Sequence, residues 1–148
     1  MVAKLGLAAA LVALGLTAAG CAEVDRRDEV TTFCASWDAY SDVEDSGTVG
    51  ELGPALKAYA GRLPKAALPR VKATAQKLST SWDKLYQEYT GSGGDPSVRL
   101  QVKGDIPAAI GGMHAEWLDG LDKSSIKELY RYSNRTCQPI TPATPTNS

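Results

Sequence analysis

The sequence predicts an all-α protein, a small bundle of four to five helices behind a cleaved signal peptide. Three observations lead there. Leu68, Val71, Ala75, Leu78, Trp82, Leu85 and Tyr89 recur at alternating spacings of three and four, the a/d seam of a packed helix. Other apolar residues also recur at helical spacing. The chain opens with an apolar run from Leu5 to Ala19, broken only by Gly6, Gly15 and Thr17. A membrane span needs about 20 apolar residues. A cleavable signal needs a basic start, an apolar segment of about 7–15 residues and small residues at its end. Lys4 and Ala18-Ala19-Gly20 supply the ends, so residues 1–20 read as a signal peptide.

The remaining elements follow in order. Residues 21–28 are short and charged and read as a tether, at most about 3.5 Å per residue when extended. The bundle domain is expected over 29–137. Val30, Phe33, Cys34, Trp37 and Tyr40 predict a first helix from about Asp28 to Val43. Thr48 and Glu51 fit a capping box ahead of a second helix marked by Leu52, Leu56, Tyr59 and Leu63. The seam from Leu68 to Tyr89 is the third helix, and G-S-G-G-D-P at 91–96 ends it. Val98, Leu100 and Val102 alternate as in a strand, yet Val98, Val102, Ile106, Ile110, Met113, Trp117 and Leu121 also form a helical stripe. A lone strand would have no partner, so residues 97–103 are assigned to a helix, broken near Gly104 to Pro107. A last helix is expected from Ser124 or Ser125, with Ser125 and Glu128 as its capping box and Ile126, Leu129, Tyr130, Ser133 and Cys137 on one side. The Pro/Thr-rich tail, 138–148, is expected to be disordered.

The stretch L-T-A-A-G-C, ending at Cys21, resembles the lipobox of bacterial lipoproteins. In that family the cysteine receives a diacylglyceryl group and becomes the first mature residue. The resemblance covers residues 1–21 and implies lipidation of Cys21 on the extracytoplasmic face of the cell membrane. Ala18 stands where the family more often has Leu, Val or Ile. Two other readings are an ordinary secreted protein and an uncleaved membrane anchor. With Cys21 used for lipid, Cys34 and Cys137 are the two thiols left. An exported chain is expected to pair them, stapling the first helix to the last. The whole chain resembles in plan the small helical envelope lipoproteins of high-GC bacteria, many without an assigned function. Its Thr/Pro tail resembles tails that are O-mannosylated in some of them.

Composition excludes more than it identifies. The formal charge is −1, and loss of Lys4 removes a further positive charge, so no basic excess draws nucleic acid. Asp38, Asp42 and Asp45 share a helical face beside Glu44, and D-V-E-D-S-G at 42–47 partly imitates a calcium loop. Its twelfth position is Gly53 instead of a bidentate Glu, so a solvated acidic helix end is the reading taken. His114 is the single histidine. It has no second histidine to form a metal site with, and no G-x-S-x-G surrounds any serine. Trp37, Trp82 and Trp117 lie on three apolar stripes, as core residues or the lining of a ligand pocket. No catalytic constellation and no cofactor or metal site is expected. The function expected is a non-catalytic, lipid-anchored binding or scaffold module of the cell envelope, with an envelope protein or wall component as partner. The alternative is a small-ligand carrier or sensor with a Trp/Tyr-rich pocket, and an enzyme comes third.

Overall fold

A computed structural model describes residues 17–100, 117 and 120–138. Four helices stand among them: α1 (Thr17–Ser46), α2 (Val49–Gly61), α3 (Pro69–Gly91) and α4 (Lys123–Cys137). Each packs on its neighbour in sequence, and α4 closes the ring against α1. On the α1–α4 seam Cys34 meets Cys137 while Glu44 meets Tyr130, so the two helices run antiparallel. The all-α bundle and its staple are therefore both present. Residues 1–16 of the expected signal peptide 1–20, the stretch 101–116 with His114, and the tail from 139 onward lie outside the described residues.

The core is one cluster that includes Phe33, Trp37 and Tyr40 from α1, Leu52, Leu56 and Tyr59 from α2, Val71, Leu78 and Trp82 from α3, and Leu129 from α4. The third helix keeps its expected seam, with one exception. Pro69 occupies its first helical position and fixes the start there. Leu68 is left at the N-cap and is half exposed, at 50%. At the other end, Gly93 has φ 86° and donates to the Thr90 carbonyl, while Gly94 donates to that of Tyr89. This is a Schellman stop, and its left-handed residue suits glycine.

Three boundaries differ from the sequence reading. The tether is helical: α1 runs unbroken from Thr17, so residues 21–28 rise about 1.5 Å each instead of reaching out as extended chain. Ala22, Glu23, Arg26 and Arg27 are good helix formers, and Glu23 and Arg27 form an exposed i,i+4 pair. The last helix starts earlier than expected. Its cap is Asp122, whose carboxylate accepts from the backbone N–H groups and the hydroxyls of both Ser124 and Ser125. These hydrogen bonds hold Asp122 down at about 2. The Ser125–Glu128 box is not the cap used, because Glu128 instead pairs with Arg70 of α3.

The third correction concerns residues 97–100, which are not helical. They run extended along the start of α2, with Thr48 and Arg99 in an antiparallel bridge. Val49 and Gly50 donate to the carbonyls of Val98 and Pro96, and Leu100 donates to that of Gly47, each at 2.9 Å. The first N–H groups of any helix lack partners within it. Here the extended segment supplies them, so it needs no second strand. Gly50 permits the approach: a Cβ there would lie 3.1 Å from Pro96. Glu51 caps the same end by accepting from the Thr48 N–H at 2.8 Å and from the Thr48 hydroxyl at 3.0 Å.

Cys34 and Cys137 are bridged with Cα atoms 5.3 Å apart, across 103 positions of chain. Cys34→Ala/Cys137→Ala, or reduction of the bridge, is expected to lower unfolding stability by about 2–5 kcal/mol. Urea unfolding of the oxidised and reduced protein measures it.

Candidate functional site

The densest arrangement of polar chemistry among the described residues lies inside the α1–α4 seam, next to the staple. Helical spacing on α1 stacks Phe33, Trp37, Tyr40 and Glu44 on the face turned toward α2 and α4. Tyr59 of α2 enters from one side. The Tyr59 ring stacks on that of Tyr40 at 5.2 Å and lies 5.3 Å from Trp37. Tyr130 of α4 enters from the other side and meets Trp37 edge-on at 5.3 Å. Offset and edge-to-face pairs of this kind add stability beyond the area they bury.

Each buried hydroxyl in this cluster needs a partner. Tyr40 and Tyr130 share a hydrogen bond of 2.6 Å, and the Tyr130 hydroxyl donates to Glu44 Oε1 at 3.3 Å. The Tyr130 proton is thus committed to Glu44, which leaves Tyr40 as the donor to Tyr130. Deeper in, Tyr59 and Ser133 hydroxyls lie 2.6 Å apart, and Ser133 donates to the Leu129 carbonyl at 3.1 Å. The proton in the first contact is therefore that of Tyr59.

Burial governs the electrostatics. It pushes the Tyr40, Tyr59 and Tyr130 phenols above their ordinary value, and the Glu44 charge adds to the rise at each. All three remain neutral donors near pH 7. Burial also raises Glu44, against the lowering effect of its tyrosine hydrogen bonds. The cluster thus offers a half-buried carboxyl reached through two phenols. It contains no thiol, imidazole or activated hydroxyl that would serve as a nucleophile. What this arrangement does is hold two helices together with every hydroxyl paired.

The residues singled out in the sequence fall in separate places. Trp37 belongs to the tyrosine cluster. Trp82 and Trp117 form a second group, edge to face at 5.0 Å, and the Trp117 indole donates to the Leu78 carbonyl and the Ser81 hydroxyl. All three tryptophans are buried, Trp37 the least at 9%. They fill the core, Trp82 against Trp117 and Trp37 apart from both among the tyrosines. Trp82 Nε1 is buried without a hydrogen-bond partner among the described residues. Asp38, Asp42 and Asp45 are exposed on α1, while Glu44 turns in to Tyr130. The segment 42–46 is helix instead of a calcium loop, and no group of three metal-ligating side chains occurs among the described residues. Cys34 and Cys137 meet in the staple, and Cys21 is left as an exposed free thiol on α1.

The grooves described in the structure lie elsewhere on the surface. One, of about 440 Å³, runs beside Ala22, Asp25, Arg26, Glu29, Lys65 and Ala66, just past Cys21. Grooves of about 240 and 150 Å³ lie along α2–α3 and at the start of α4. None is lined by a tryptophan. Sequence reasoning missed two groupings, the Tyr40–Tyr130–Glu44 chain and the charged groove near Cys21. The first was half visible, since Tyr40 and Tyr130 both fall on apolar stripes. The second carries no local sequence signal, because it joins two segments far apart in the chain. No protein-family model, curated protein or solved structure matches this chain.

Two outcomes test the polar interior. Ser133→Ala strands the buried Tyr59 hydroxyl and is expected to cost about 1–3 kcal/mol. Tyr59→Phe leaves Ser133 bonded to Leu129 and should cost less, about 0.5–1.5 kcal/mol. Chemical denaturation of both single variants and of the double variant checks the order. Glu44 tests the electrostatics. Its folded-state value is raised from 4.5, so the folded state holds the proton more tightly than the unfolded chain. That contribution is complete below about pH 4.5 and is lost as pH rises through the folded-state value. Glu44→Gln, which does not titrate, should therefore gain on the wild type as pH rises from 4 to 7. Thermal melts of both proteins across that range decide it.

Proposed function

We propose that this chain is a lipid-anchored protein of the extracytoplasmic face of the cell membrane, acylated at Cys21. In this reading it serves as a non-catalytic binding or scaffold module of the envelope. The observation that carries it is the division of the three cysteines. Cys34 and Cys137 close on each other, and Cys21 alone is free and exposed, outside the packed core. A disulfide suits an oxidising, exported location, and the resemblance of residues 1–21 to a lipobox gives the remaining cysteine a use. No helix among the described residues is long and apolar enough to cross a membrane. In this reading the lipid on Cys21 makes the attachment. Two acyl chains exceed the marginal hold of one.

The helical course of residues 21–28 adds a physical detail. After cleavage α1 would begin at its acylated residue. Glu23 and Asp25 would then sit at the positive end of the helix, where acidic side chains are favourable. The domain would stand on a helical stem and not on a loose tether. The burial of all three tryptophans in the core supports a surface-binding module over a carrier, whose ligand would need a cavity between them.

Cys21→Ser is expected to abolish membrane association or to leave the precursor unprocessed. Membrane fractionation with mass analysis of the mature N-terminus reads the result. An unmodified N-terminus downstream of Cys21 in the native protein would remove this reading.

A further inference from the structure

The groove beside Cys21 is built from two parts of the chain. On α1, Ala22, Asp25, Arg26 and Glu29 continue, at spacings of three and four, the same face that buries Phe33, Trp37 and Tyr40 higher up. Below the bundle that face changes from apolar to charged. Lys65 and Ala66, from the link between α2 and α3, wall its other side. The link is held there by the Lys65 N–H, which donates to Glu29 Oε1 at 2.9 Å, and by Lys72, whose ammonium donates to the Lys65 carbonyl at 2.8 Å. The result is an open groove of about 440 Å³, within the size of small-molecule sites. It carries two cations, Arg26 and Lys65, neither in an ion pair among the described residues. It also carries two anions, Asp25 and Glu29.

We propose that this groove binds the headgroup of a phospholipid bearing both a phosphate and a primary ammonium. Arg26 and Lys65 take the phosphate, and Asp25 and Glu29 take the ammonium. The inference rests on the anchor reading for its location. A rise of about 1.5 Å per residue places Asp25 and Arg26 about 6–8 Å along α1 from Cys21. The headgroup layer on each side of a bilayer is about 5–8 Å thick. With Cys21 acylated, these two side chains lie in that layer, and the long Lys65 side chain reaches back toward it. Val24, 57% exposed and within one turn of Cys21, lies at the same depth.

Charge complementarity selects the headgroup. A purely anionic lipid would satisfy Arg26 and Lys65 but meet repulsion from Asp25 and Glu29. A choline headgroup offers no N–H to those carboxylates, and quaternary ammonium groups are taken by aromatic cages, which this groove lacks. A primary ammonium beside a phosphate matches all four side chains with charge-assisted hydrogen bonds.

The test attaches the protein without relying on acylation in cells. The core lies wholly beyond Cys21, so the oxidised chain from Cys21 onward can be coupled through that thiol to a maleimide lipid. Vesicles contain phosphatidylcholine alone, or with phosphatidylethanolamine or phosphatidylglycerol. The readout is the rate of Lys65 acylation by a water-soluble reagent, measured by mass spectrometry relative to exposed Lys84. Lys65 should react about fivefold more slowly with phosphatidylethanolamine than with phosphatidylcholine alone, the effect of roughly one net hydrogen bond, and Arg26→Gln should erase the difference. Arg26 is exposed and makes no side-chain hydrogen bond among the described residues, so this variant keeps its helicity, checked by circular dichroism. Equal rates in phosphatidylethanolamine and phosphatidylcholine would overturn the proposal. So would protection strongest with phosphatidylglycerol, or protection that survives Arg26→Gln. Failure here leaves the native N-terminus of the protein a separate question, answered by its mass.

Discussion

The joint between α1 and α4 is the constraint on which the other packing depends. Among the described residues the ring of helices closes only if α1 and α4 meet, and a contact between segments so far apart in the chain carries a large loop-closure cost. The Cys34–Cys137 bond removes that cost from the unfolded side. Around it the joint is made of side chains that are each half apolar. The rings at this joint are mostly phenols: Tyr40, Tyr59 and Tyr130 gather around Phe33 and Trp37. A buried phenol brings a ring that packs well and a hydroxyl that must be paired. The joint supplies both needs: α1 and α2 bring Tyr40 and Tyr59, and α4 brings Tyr130 and Ser133 to receive them. If α4 left, these hydroxyls would lose their partners along with the ring contacts. The disulfide and the hydrogen bonds therefore act in the same place and in the same direction.

The helix ends show how the rest of the backbone is satisfied. Each α-helix begins with N–H groups that its own ladder cannot use. At α4 a local device suffices, with the Asp122 carboxylate and two serines taking the whole turn. At α2 the local device, Glu51 folded back on Thr48, is supplemented from a distance. Residues 96–100 lay their carbonyls along the start of the helix, and Val98 and Leu100 turn inward to the core as they do so. The alternation of apolar residues there reflects a half-buried extended chain whose partner is a helix terminus.

The two ends of α1 have different characters, and this bears on function. From Phe33 upward its inner face is aromatic and buried. From Glu29 downward the same face is charged and forms an open groove beside the free cysteine. On the reading proposed here the first part builds the domain and the second meets the membrane. The interior, filled by Trp37, Trp82 and Trp117, directs attention to the surface as the place where a partner would be met.

Much of the fold was legible in the chain. Helical periodicity marked α1 to α4, because an amphipathic helix writes its buried face at spacings of three and four. The cysteine pair followed from counting, once the lipobox resemblance set Cys21 aside, and Thr48 with Glu51 announced the start of α2 because a capping box is local. Other features depended on what stands opposite in space. Residues 97–100 looked partnerless because the available donors belonged to a helix end, which periodicity does not record. Asp122 displaced Ser125 as a cap because Glu128 was drawn off to Arg70 on another helix. Glu44 read as part of a solvated acidic cluster until Tyr130 arrived from α4. The groove by Cys21 exists only because the α2–α3 link folds against Glu29. Sequence by itself determined the elements, whose signals lie within a few turns of chain. The tertiary structure decided the pairings, because these hydroxyls, carboxylates and helix ends take their partners from residues 36 to 90 positions away.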